Sequence, residues 1–137
     1  MTLFRRLQRF ERRGFDLTAV VVFGALLWAV PFAISFAVEP LRDDHRGFFE
    51  SVMAVTVAAG CTALIGRYLL GHPGTSPARC AAIGLAWAAM SIVFDLPLML
   101  SEPVNMSLGE YMADIGLTYA MYPLIALGAG VLAARAR

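Results

Sequence analysis

Residues 17–38 read LTAVVVFGALLWAVPFAISFAV, twenty-two residues without one ionisable side chain. At 1.5 Å of rise per residue, about 20 apolar residues in a helix cross the ~30 Å hydrocarbon layer of a bilayer. The stretch therefore reads as a membrane-spanning helix, and it sets the reading of everything around it. The preceding MTLFRRLQRFERRGF gives it the basic start of a signal peptide. However, the apolar run exceeds the ~7–15 residues of a signal core, and no convincing small-x-small cleavage site closes it. It is expected to stay as a first span.

Composition agrees. The chain has 137 residues, 59% hydrophobic and 15% charged, with mean hydropathy +0.69. Soluble domains run at ~45–50% apolar and ~25% charged. Three further runs qualify as spans, at roughly 48–70, 80–100 and 111–134. The expectation is a single all-α domain over 1–137, a four-transmembrane-helix bundle with short connections and hence antiparallel neighbours. No internal repeat is visible, although the first and last spans each carry a proline, Pro31 and Pro123.

Orientation follows from the eleven basic residues, all arginine. With the N-terminus inside, Arg5, Arg6, Arg9, Arg12, Arg13, Arg67, Arg79, Arg135 and Arg137 lie on the cytoplasmic side, and only Arg42 and Arg46 lie outside. This is the positive-inside pattern of a cytoplasmic (inner) membrane protein with both termini cytoplasmic. In residues 1–16, Leu3, Phe4, Leu7 and Phe10 recur at helical spacing between arginines. A short interfacial amphipathic helix is expected there, with Arg5, Arg6, Arg9, Arg12 and Arg13 on lipid headgroups.

Eight of the ten acids fall at or near the outer face, among them Glu50, Asp95, Glu110 and Asp114. Acids contribute little to topology, so this clustering needs another reason. Asp95 lies five residues before the end of the third span, about 7 Å below it. Glu110, Asp114 and Thr118 share one helical face, as do Ser91 and Asp95. Glu50 enters the second span at the same level. These residues form a candidate polar layer, with Arg42 and Arg46 as candidate ion-pair partners. An ionised carboxylate in an apolar layer is costly. Asp114 gains from the N-terminal end of the fourth helix. Asp95 nears a helix C-terminus, where Pro97 also leaves the carbonyl of Val93 without its usual donor. A protonated Asp95 donating to that region or to Asp114 is one expectation. Arg42 or Arg46 folding down onto the acids is the other.

The remaining features read plainly. Tyr68 and Tyr111 fit interface belts, Tyr119 and Tyr122 read as ordinary membrane aromatics, and Trp28 and Trp87 as core packing. The methionines read as helix filler, and the glycines as close-packing positions. Cys61 and Cys80 sit too far apart for a native disulfide. His45 with Asp43, Asp44 and Glu50 has metal-ligating atoms without a diagnostic spacing. No CxxC, GxGxxG, Walker or HExxH motif occurs. No metal, cofactor or nucleic acid is expected. The expected partners are the bilayer and either another membrane protein or further copies of this chain.

The stretch FDLPLMLSEPVNMSLGEYMADIGLTYAMYPLI (residues 94–125) resembles the second half of small, uncharacterised four-helix membrane proteins of bacteria and archaea, in its Asp-Leu-Pro helix end, its short methionine-containing loop and its Y-x-A-D-I-G-L-T-Y motif. FFESVMAV at the start of the second span fits the same likeness. The resemblance implies the fold and marks Glu50, Asp95 and Asp114 as positions to test. It implies no activity. Small multidrug exporters fit poorly, because the first span has no glutamate. Disulfide-forming membrane oxidoreductases also fit poorly, because paired reactive cysteines are lacking. Two functional readings stand: a non-enzymatic accessory or assembly partner whose polar layer locks the helices, or a small oligomeric proton- or cation-coupled transporter using the aspartates.

Overall fold

The computed structural model describes residues 15–137, and within them every regular element is helical. The N-terminal arginines and the expected interfacial helix lie outside the described residues. Helix α1 spans Leu17–Val38, and a single-turn α2 (Leu41–Asp44) leads into α3 (Arg46–Gly71). Helix α4 spans Pro77–Met99, followed by a short α5 (Leu108–Asp114), a 3-10 segment (Gly116–Ala120) and α6 (Met121–Arg135). Four helical stretches are long and apolar enough to cross a membrane: α1, α3, α4 and the combined run Gly116–Arg135.

Local chemistry starts and stops these helices. Asp16 caps α1 by accepting from the Ala19 N–H at 2.9 Å. Ser76 caps α4, with Pro77 in its first turn, where a missing N–H costs nothing. Ser107 and Glu110 form a capping box at α5.

The fourth span is not one continuous helix over 111–134. It breaks at Ile115, runs as 3-10 helix to Ala120 and resumes as α6. Pro123 explains the site of the irregularity. It has no N–H for the Tyr119 carbonyl four residues back, and its ring crowds that carbonyl.

The packing order departs from chain order. Helix α4 packs most extensively on α6, α1 lies beside α3 and α4, and α3 lies beside α6. The second and third spans, although joined by the short loop at 72–76, therefore face each other across a diagonal. Two of the four packed pairs (α1 with α4, α3 with α6) run parallel, where short connections alone suggested antiparallel neighbours. The seam between α4 and α6 is very close. A Cβ on Gly84 would lie 2.6 Å from the Pro123 Cα, and one on Gly130 would lie 2.9 Å from the Pro77 Cα. The buried core runs along the axis through Leu27, Val57, Cys61, Ile65, Trp87 and Tyr122.

The proline in α1 is also accommodated across the bundle. Pro31 cannot donate to the Leu27 carbonyl. The Tyr122 hydroxyl donates to that carbonyl from α6, at 3.3 Å. At the end where the described chain begins, Asp16, Tyr68 and His72 meet. The Tyr68 ring stacks on His72 at 4.4 Å, and its hydroxyl accepts from the Asp16 N–H at 3.2 Å. Arg137 donates to the Thr75 carbonyl at the same end. Loops 39–45 and 100–107 lie at the opposite end.

Candidate functional site: a buried aspartate beside a cavity

Asp95 is 3% exposed, deep between the helices. Three neutral donors converge on it. The Trp28 indole N–H from α1 donates to Oδ1 at 2.7 Å. The Tyr111 and Tyr119 hydroxyls both donate to Oδ2, at 3.0 and 2.6 Å. An ionised carboxylate only accepts, and it offers about four lone-pair positions. Three of these are filled. Among the described residues no ion pair reaches Asp95.

The interruption of the helix at Ile115 makes this convergence feasible. Tyr111 and Tyr119 are eight residues apart. In a straight α-helix that separation is about 12 Å of rise and about 80° of rotation. Two hydroxyls on one oxygen are hard to arrange from such a helix. Here Tyr111 comes from α5, Tyr119 from the 3-10 segment, and the irregular turn at Ile115 brings them together.

A second tier lies at the bundle end nearer loops 39–45 and 100–107. Arg46 pairs with Glu50 through Nε at 2.7 Å and with Asp114 through Nη2 at 2.5 Å. Arg42 reaches the other Asp114 oxygen at 3.5 Å, and its guanidinium lies 5.7 Å from the Phe49 ring centroid. These arginines are well exposed, so the pairs hold geometry more than they add stability. Glu110 is separate from this tier. It belongs to the capping box, where the Ser107 backbone N–H and then the Ser107 hydroxyl hold its carboxyl below the usual range.

The polar residues singled out in the sequence thus fall into different places. Asp114 and Glu50 meet Arg46, and Asp114 also meets Arg42. Asp95 touches neither arginine nor Asp114, and it accepts from three aromatic side chains instead. The expectation of Asp95 as donor to Asp114 is replaced by this arrangement. Ser91 is fully buried one turn from Asp95. Thr118 lines the cavity described next.

Sequence reasoning missed the three donors. Trp28, Tyr111 and Tyr119 read as core or belt aromatics, yet each has a polar tip that a buried site must satisfy. A signal was present: one buried acid without a basic residue near it in the chain, and several aromatics with N–H or O–H groups at matching depth.

A cavity of about 150 Å³ lies between the two tiers. Trp28 and Phe32 from α1, Phe49 and Met53 from α3, and Met99 and Tyr119 contribute to its walls. Asp95 borders it on one side, and Arg42, Arg46, Glu50 and Asp114 on another.

No family model matches this chain. No curated protein and no solved structure matches it either.

Proposed function

We propose that this chain is a non-enzymatic integral membrane protein, multi-pass in the inner membrane with both termini cytoplasmic, whose Asp95 hub fixes the helix arrangement of an accessory or assembly partner. One observation carries the reading. Three donors from α1, α5 and the 3-10 segment hold one carboxylate of α4, which ties together elements far apart in the chain. A carboxylate held by three donors is suited to fix geometry, because moving it breaks all three bonds at once. The orientation is supported by the nine-to-two placement of arginines.

The test is stability and flux measured on the same variants in liposomes. Asp95→Asn keeps an acceptor for Trp28, and the tyrosine hydroxyls can turn to accept from its amide. It is expected to fold like the wild type, with unchanged proton and cation permeability. Asp95→Leu strands three donors, two of them buried, and is expected to loosen the bundle. A pH-dependent flux in the wild type that disappears in a well-folded Asp95→Asn would replace this reading with the second one, a small oligomeric proton- or cation-coupled transporter. That reading is favoured by the cavity that borders Asp95 and reaches the exposed arginines.

A further inference from the structure

We infer that the cavity beside Asp95 is a binding site for a small organic ammonium ion with a compact apolar body, entering past Arg42 and Arg46. The inference concerns occupancy. It stands apart from whether the bundle serves as a structural partner or moves a solute.

Charge comes first. Five acidic or basic residues line the cavity. Arg42 and Arg46 carry two positive charges, and their partners Asp114 and Glu50 carry two negative ones. Asp95, when ionised, is left over. Its three partners are neutral dipoles, which stabilise a charge but do not cancel it. Among the described residues no cation pairs with that charge. The cavity offers room for a cation directly beside it.

Valence and wall chemistry then select the kind of cation. The three donors leave one lone-pair position, on Oδ1, which suits a single N–H from an ammonium group. A hard metal ion needs about six or more oxygen ligands. The walls instead supply the rings of Trp28, Phe32, Phe49 and Tyr119 and the thioethers of Met53 and Met99. Aromatic faces attract organic cations and accept apolar bodies equally well. The Thr118 hydroxyl is a second polar point on the wall. Size agrees: a cavity near 150 Å³ takes a group the size of a benzene ring.

The experiment is fluorine NMR of the full chain in lipid nanodiscs with three ligands of one shape: para-fluorobenzylammonium, para-fluorobenzyl alcohol and para-fluorobenzoate. The ammonium is expected to bind at least roughly tenfold tighter than the alcohol, as one charge-assisted hydrogen bond gives. The benzoate is expected not to compete. Asp95→Asn should weaken the ammonium by a similar factor. Arg46→Gln should leave it as tight or tighter, because a like charge is removed. Ala54→Phe, which fills the cavity while leaving Asp95 and its three donors unsubstituted, should abolish binding. Equal binding of alcohol and ammonium would mean a merely apolar cavity and overturn the inference. Preferred binding of benzoate would assign the site to the arginines and also overturn it. So would unchanged ammonium binding in Ala54→Phe. The wild-type ligand series decides even if a variant does not fold.

Discussion

At the scale of single residues, Asp95 organises the interior through groups that are not charged. Each donor has a separable worth. Tyr119→Phe removes the 2.6 Å bond to Oδ2 and Tyr111→Phe the 3.0 Å bond. Both should destabilise, Tyr119→Phe more, by roughly 1–2 kcal/mol each. Trp28→Phe should cost a similar amount, since its ring still stacks on Phe32 at 4.8 Å while the donor is lost. Reversible unfolding in mixed micelles measures these values. The Trp28→Phe and Tyr119→Phe pair should be non-additive, because the two donors share one carboxylate. Strict additivity would show that Asp95 does not couple them.

At the scale of elements, two short-range devices shape the fourth span. Pro123 denies the Tyr119 carbonyl its helical partner, and the 3-10 turn places Tyr119 on Asp95. Pro123→Ala restores that N–H and is expected to extend α6 backwards, drawing Tyr119 off the carboxylate. Tyrosine ultraviolet resonance Raman should then report a weaker hydroxyl donor at Tyr119. Gly84 allows α4 and α6 to touch. Gly84→Ala sets a Cβ against the Pro123 backbone and should cost about 1–3 kcal/mol by overpacking. The capping box of α5 gives a pH dependence of known sign. Glu110 has a folded-state pKa below its ordinary value. Its contribution is therefore complete above the ordinary carboxylate range and is lost as pH falls through the lowered folded value. Amide exchange at the start of α5 should accelerate in that acidic window, corrected for intrinsic rates, and Glu110→Gln should remove the dependence.

At the scale of the whole molecule, the distribution of polarity is the inverse of a soluble bundle. Val22, Leu26, Val55, Leu85, Leu124 and Leu132 are exposed on the long helices, while Asp95, Ser91 and Thr75 are buried. Helices apolar on every side suit a lipid surround. Single reporter cysteines test the orientation. Cys61 and Cys80 are free and buried, so they should stay unlabelled in the folded protein. Ser101→Cys is expected to react with an impermeant maleimide from outside the cell, and Ala136→Cys only after the membrane is opened. The reverse pattern would invert the topology.

The four membrane-length stretches were legible in the sequence because a span is a local property. Its length and its lack of ionisable groups are written in consecutive residues, as in 17–38. The caps at Asp16 and Ser107 are equally local, but the sequence reading did not single them out. Asp95 stood out as a polar anomaly because that, too, is a local property. Its surroundings were not legible. The diagonal placement of α3 and α4, the break at Ile115 and the meeting of Trp28, Tyr111 and Tyr119 on one carboxylate depend on how the helices rotate and cross. That choice is made by contacts such as Gly84 against Pro123 and Tyr122 on the Leu27 carbonyl, which join residues tens of positions apart. Sequence alone determined that polar groups near one end of the bundle needed partners, because burial without them is costly. Tertiary structure decided that Arg42 and Arg46 hold Asp114, while aromatic donors hold Asp95 beside a cavity.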